Sequence, residues 1–85
     1  MNMHYTFTRA AAAQAIAYNQ QQIKELTKQA ATYRQLLAIC EQYKDSLPEA
    51  EYQHFSSAYA SELQNCLASM ETIRAWIADL QKAVG

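Results

Sequence analysis

The sequence predicts an all-α protein built as one antiparallel hairpin of two long helices. Gly and Pro, the residues that most often mark loops, each occur once in 85 residues, and the Gly is the last residue. Val, a typical strand residue, also occurs once, whereas strong helix formers such as Ala, Gln and Leu are abundant. The apolar residues follow a helical period on both sides of Pro48, the single internal break.

We predict a first helix over residues 9–45, preceded by a tail of residues 1–8. Thr8 is a suitable N-cap because its hydroxyl can accept a hydrogen bond from a free N–H of the first turn. One stripe of this helix, which we call its seam, recurs at steps of three and four: Ala12, Ile16, Asn19, Ile23, Leu26, Ala30, Tyr33, Leu37 and Cys40. The polar Asn19 either fixes the register of a buried contact or lies at an end that is open to solvent.

The chain is expected to reverse at a turn over residues 45–48. Pro48 disfavours a helical backbone at Leu47, which argues against one continuous rod. Ser46 and Glu49 have the spacing of a capping box, and Pro48 fits the first turn of a helix, where its missing N–H costs nothing. We therefore predict a second helix over residues 47–83, and a single hairpin domain over residues 9–85.

The second helix has a seam with the same alternation of steps: Leu63, Cys66, Met70, Ile73, Ile77, Leu80 and Val84. Before it, the steps from Phe55 to Tyr59 and from Tyr59 to Leu63 are both four, which predicts a stutter in the stripe. Folding the chain back at a tight turn places Ala30 level with Cys66 and apolar residues opposite each other along nearly the whole hairpin. This agreement between the two seams supports the hairpin.

Large apolar residues also lie beside the seams, and these predict association with another chain. Exposure of such a side chain forfeits about 1.5–3 kcal/mol, and clustered exposed apolar surface usually marks an interface. We expect a four-helix bundle, formed by a homodimer or with a different protein. The predicted partner-binding residues are Leu36, Ile39, Tyr43, Phe55, Tyr59 and Trp76. Burial in the seam is the alternative for Tyr59, and burial within a self-dimer is the alternative for Tyr43 and Phe55.

The residues that could support chemistry are few and scattered. Cys40 and Cys66 would lie about 15 Å apart along the hairpin, too far for an intrachain disulfide, so we expect two core cysteines. An interchain disulfide or a redox switch is the alternative. His54 belongs to no metal-binding motif, and a phosphate-binding loop needs internal Gly residues that the chain lacks. We expect no enzyme activity, no metal and no cofactor.

Charge and hydropathy restrict the partners further. The net charge is −1, with five basic and two acidic residues through Lys44, and two basic and six acidic residues after it. Opposite-signed halves favour pairing with each other or with protein, whereas phosphate binding needs several clustered cations. No run of apolar residues is long enough for a transmembrane span. We expect a cytoplasmic protein that binds neither nucleic acid nor membrane.

These observations favour a small non-enzymatic protein-binding factor that acts through helix–helix contacts. An inhibitor or adaptor fits this size, which is typical of factors encoded by phages and plasmids. The alternative is a structural or secretion-related subunit, or its chaperone, completed by self-association. The proportions of the predicted hairpin are similar to those of type III secretion needle subunits and their chaperones, a likeness of shape alone.

Overall fold

The structure is a computed structural model that describes residues 8–84, and it consists of two long α-helices packed against each other. Helix α1 spans Arg9–Gln42, a 3₁₀ turn spans Lys44–Ser46, and helix α2 spans Glu49–Val84. The helices run antiparallel along one shared strip, so the predicted all-helical hairpin is confirmed. Of the predicted tail over residues 1–8, all but Thr8 lies outside the described residues.

Helix α1 begins as its sequence predicts. Thr8 has an extended backbone, and its Oγ1 accepts a hydrogen bond of 3.1 Å from the N–H of Ala11. The Thr8 carbonyl accepts the first backbone bond, from the N–H of Ala12, at 2.9 Å. A free donor of the first turn is thereby satisfied, which fixes where the helix begins.

The connection between the helices, residues 43–48, is longer than the predicted turn over residues 45–48 and contains a 3₁₀ turn. Helix α1 ends at Gln42, where the predicted first helix continued to residue 45, and Tyr43 closes it through an N–H bond of 3.1 Å to the Ile39 carbonyl. The 3₁₀ turn follows, and Leu47 is extended (φ −101°, ψ 145°), as Pro48 requires of the residue before it.

Helix α2 begins two residues later than the sequence suggested. Its first backbone bond joins the N–H of Tyr52 to the carbonyl of Pro48 at 3.0 Å, so Pro48 occupies the N-cap position. Ser46 instead ends the 3₁₀ turn, and the predicted capping box between Ser46 and Glu49 is therefore wrong. Glu49 and Glu51 remain in the first turn of α2, where their charge suits the positive end of the helix dipole.

The core is one narrow row of side chains, all of them small except Met70. The buried hydrophobic residues within residues 8–84 all lie on the predicted seams: Ala12, Ala30, Cys40, Cys66 and Met70. No large side chain of the described chain is fully buried. The hairpin therefore has a contact strip but no enclosed interior, as expected when two helices pack without further neighbours.

The seam residues of α2 are spaced more regularly than the sequence suggested. Phe55 is 42% exposed, whereas Ser56 is half-buried and takes the seam position between Tyr52 and Tyr59. With Ser56 included, the steps alternate four and three from residue 52 to residue 80, so the predicted stutter is absent. The Ser56 hydroxyl donates a 2.7 Å bond to the Tyr52 carbonyl, which satisfies its polar group inside the strip.

Contacts across the strip give the register of the two helices. The Cys66 thiol lies 3.8 Å from Oε1 of Gln29, one residue from its predicted partner Ala30. Closer to the turn, the rings of Tyr33 and Tyr59 lie 6.4 Å apart between centroids. None of the helices described within residues 8–84 combines the length and the apolar character needed to cross a lipid bilayer.

Candidate protein-docking face

Five large apolar side chains of the hairpin remain open to solvent. Their exposed fractions are 65% for Tyr18, 45% for Ile39, 51% for Tyr43, 42% for Phe55 and 54% for Trp76. All five lie beside the seams, where the partner helix of the hairpin does not reach them. They are the surface that a second protein could cover at the greatest gain in free energy.

All five side chains share one face. Tyr18 and Ile39 are three heptads apart on one flank of α1, and Phe55 and Trp76 are three heptads apart on one flank of α2. In an antiparallel helix pair these two flanks point to the same side. A groove lined by both Ala15 of α1 and Trp76 of α2 shows the same arrangement directly.

We call this side the docking face and define it by its residues in each helix. From the first helix it takes Ala11, Ala15, Tyr18, Gln22, Glu25, Gln29, Thr32, Leu36 and Ile39, with Tyr43 after the helix end. From the second helix it takes Glu51, Phe55, Ala58, Glu62, Asn65, Ser69, Thr72, Trp76, Asp79 and Ala83.

The end of the docking face near the turn carries one apolar cluster, the turn-end cluster of Leu36, Ile39, Tyr43 and Phe55. The Phe55 ring stacks on Tyr59 with centroids 6.3 Å apart and planes 25° apart. Because the Tyr59 ring also contacts Tyr33 across the strip, Phe55 rests on a packed aromatic base. Aromatic side chains supported in this way lose little conformational entropy on binding, which suits them as interface anchors.

The opposite end carries the open-end cluster of Tyr18 and Trp76. A groove of about 420 Å³ between the helices is lined by Trp76, Asp79 and Leu80 from α2 and by Ala15 and Asn19 from α1. A second groove of about 280 Å³ lies along α2 on another side of the Trp76 ring. The indole is therefore flanked by open concave surface that a partner's side chains could fill.

The charges of the docking face have one sign. Its carboxylates are Glu25, Glu51, Glu62 and Asp79, and none of its residues is Lys or Arg. The opposite face, by contrast, carries Lys24, Arg34 and Arg74. The ion pair between Lys28 and Glu25 spans 3.8 Å between two exposed side chains, and exposed pairs of this kind contribute little.

The other reactive side chains form no site of their own. Cys40 and Cys66 are both free thiols, buried in the strip. Among residues 8–84, no group of three or more His, Cys, Asp and Glu side chains is placed to hold a metal ion. His54 packs edge-on against Phe55, with ring centroids 5.1 Å apart.

One titratable contact lies beside the turn. The Tyr52 hydroxyl donates a 2.9 Å hydrogen bond to Oε1 of Glu41 across the strip. This hydrogen bond, desolvation of the phenol and the charge of Glu41 raise the pKa of Tyr52 above its ordinary value. The Lys44 ammonium lies 5.2 Å above the Tyr52 ring, so the contact ties the end of α1 and the turn to α2.

The structure places the six residues predicted to bind a partner in two groups. Ile39, Tyr43, Phe55 and Trp76 are exposed on the docking face, whereas Leu36 and Tyr59 are half-buried. Their role in binding stays a prediction.

The sequence prediction did not include Tyr18, the most exposed large apolar residue of the described chain. Its position three heptads before Ile39 is the signal that could have identified it.

Comparison of the chain with protein-family models, with curated proteins and with solved structures found no match to any of the three.

Proposed function

We propose that the hairpin is a small non-enzymatic protein-binding factor, an inhibitor or adaptor, that completes a four-helix bundle with helices of another protein chain. The observation that carries this proposal is the presence of five large exposed apolar side chains on a single face. Isolated apolar residues are common on protein surfaces, but contiguous ones usually mark an interface.

The packing of the hairpin supports the same proposal. Because no large side chain of residues 8–84 is fully buried, the hairpin leaves part of the gain from apolar burial unrealised. A second pair of helices on the docking face would enclose Trp76 and Phe55 and convert the contact strip into a core. In a four-helix bundle, the apolar side chains of facing helices form a common core.

The first test removes the anchors of the turn-end cluster. Tyr43→Ala combined with Phe55→Ala should abolish capture of the partner from an extract of the native host, as read by mass spectrometry. Truncation of central aromatic anchors typically costs at least about 2 kcal/mol each. The far-ultraviolet circular dichroism should stay that of the wild type, since both side chains are outside the seam.

The matched control changes two exposed residues of the opposite face, Gln20→Ala with Gln64→Ala, and should leave capture intact. Capture that survives loss of both Tyr43 and Phe55 would show that the turn-end cluster is not the binding surface.

A second candidate is a structural or secretion-related subunit, or its chaperone, that is completed by copies of itself. The observation that favours it is the placement of one apolar cluster at each end of the docking face. If copies are staggered so that the open-end cluster of one contacts the turn-end cluster of the next, the contact is heterologous and can continue as an open polymer. Light scattering over a dilution series distinguishes the candidates, since open-ended polymers indicate the structural subunit and a discrete species indicates the binding factor.

A further inference from the structure

We propose that the docking face takes a helical segment of a different protein, in which Lys or Arg residues lie between two groups of apolar anchors. This inference rests on the proposed protein-binding function and names the chemistry of its partner. Three features of the docking face carry it: the spacing of its apolar clusters, the sign of its charges and the composition of the Trp76 groove.

The spacing of the clusters defines the length of the partner. Tyr18 and Ile39, and likewise Phe55 and Trp76, are separated by three heptads, or about 32 Å along the helix axis. A partner helix that contacts both ends must therefore be about 21 residues long or longer, with its own apolar anchors three heptads apart.

The charges between the clusters define the middle of the partner. Glu25 and Glu62 lie on the docking face between the turn-end and open-end clusters. Lys28, on the outer side of α1, pairs with Glu25 at 3.8 Å, but both side chains are exposed and such a pair contributes little. An apolar partner would desolvate the two carboxylates with little compensation, and an acidic partner would repel them. Lys or Arg at the facing positions converts the same carboxylates into a source of affinity and specificity.

The same charges disfavour a second copy of the chain on this face. In a head-to-tail dimer, which sets the turn-end cluster of one copy against the open-end cluster of the other, Glu25 of one copy is level with Glu62 of the other. In a head-to-head dimer, α1 of one copy packs on α2 of the other, so each of these carboxylates is level with its own counterpart across the two-fold axis. Both dimers thus place acidic side chains of the two copies at the same level of one interface, which costs free energy at low ionic strength.

The groove beside Trp76 adds a specific place for a cationic side chain. Its lining combines an exposed indole face, the carboxylate of Asp79 and the amide of Asn19, within an otherwise apolar surface of Ala15 and Leu80. A guanidinium or ammonium group above an indole ring is attracted by the ring electrons, and a nearby carboxylate adds a charged hydrogen bond. Within residues 8–84, Asp79 forms no ion pair that would compete.

The experiment uses a charge-reversed copy of the chain as the cationic partner. The variant Glu25→Lys with Glu62→Lys keeps both apolar clusters and places its two introduced ammonium groups level with the carboxylates of a wild-type copy. We expect an equimolar mixture with wild type to form a one-to-one complex at least about tenfold tighter than the wild-type homodimer. Sedimentation velocity gives the stoichiometry, and a blue shift of the emission of Trp76, the only Trp, reports its burial.

The control variant has the same change in net charge on the other side of the hairpin. Gln20→Lys, Gln64→Lys and Glu71→Lys together should bind wild type no more tightly than wild type binds itself, and circular dichroism checks that each variant is helical. The complex with the first variant should weaken as salt is added, because screening reduces the attraction between exposed charges.

Three results would overturn the inference: no complex with the first variant, equal binding of both variants, or a wild-type homodimer on this face of equal affinity. The last result would leave the self-associating form of the proposed function intact. The capture experiment on Tyr43 and Phe55 changes neither glutamate, so the proposed function can fail or hold independently of this test.

Discussion

At the scale of single residues, the hairpin separates the side chains that hold it together from those that it displays. Ala12 and Ala30 have exposed fractions of 0% and 1%, which is possible because a methyl group fits between two closely packed backbones. Trp76 and Phe55 each come one position before a seam residue, so the helical period places them on the flank, where no helix of the hairpin covers them. The angular position of a residue therefore decides whether the strip buries it.

The contact between Tyr52 and Glu41 leads to a prediction about pH. Because the hydrogen bond to the carboxylate requires the protonated phenol, the pKa of Tyr52 is raised in the folded state. The hydrogen bond stabilises the fold fully below the ordinary tyrosine pKa of about 10. This stabilisation is lost as the pH rises through the raised pKa of Tyr52 in the folded state. Glu41→Gln should lower the Tyr52 pKa towards that ordinary value.

The measurement is the ultraviolet absorbance of tyrosinate during an alkaline titration. Subtracting the curve of Tyr52→Phe from that of the wild type isolates this residue from the other five tyrosines of the chain. The same subtraction in the Glu41→Gln background gives the shift. An identical Tyr52 titration in both backgrounds would contradict the assigned cause.

At the scale of elements, the periodicity of the sequence predicts most of the architecture. The steps of three and four through Ala12, Ala30 and Cys40 place the buried strip of α1 correctly, and Cys66 and Met70 do so for α2. The agreement holds because burial on a helix is set mainly by angular position, which spacing alone determines.

Two features of the elements could not be predicted from the pattern. Hydrophobicity favoured Phe55 for the seam, but the half-buried residue is Ser56, whose hydroxyl is satisfied by the carbonyl of its own helix. The exact end of α1 depends on the backbone bonds of Tyr43 and the 3₁₀ turn, and no residue type there specifies them. For the docking face, the pattern identified four of the exposed anchors but omitted Tyr18.

The contact between the helices predicts which truncation destabilises the fold. Met70 is the largest buried side chain of the strip, with an exposed fraction of 7%. Met70→Ala should lower the free energy of unfolding by about 2–3 kcal/mol, because it removes apolar contacts and leaves a gap. Tyr18→Ala, at a site that is 65% exposed, should change it by less than about 0.5 kcal/mol.

Urea unfolding followed by circular dichroism measures both variants. Equal losses of stability at the two sites would show that α1 and α2 do not pack through the strip that contains Met70.

At the scale of the whole molecule, the decisive property is the mismatch between a narrow core and a broad apolar face. One strip of mostly small residues leaves Trp76, Phe55 and the rest of the docking face without an intramolecular neighbour. Its carboxylates nevertheless discourage the simplest remedy, association of identical copies. Together, the exposed apolar face and its carboxylates favour association with a partner that carries basic residues.

This balance between apolar attraction and like-charge repulsion predicts the effect of salt on the isolated protein. Self-association of the wild type should increase from low to high ionic strength, because screening at about 1 M salt reduces the Debye length to about 3 Å while apolar contacts persist. Glu25→Gln with Glu62→Gln should reproduce the high-salt behaviour at low salt, since it removes the repelling charges and keeps the side-chain shape. Sedimentation equilibrium over a concentration series measures both effects. If instead the wild type associates most strongly at low salt, attraction between opposite charges holds the copies together, and the docking face is then not the surface through which they meet.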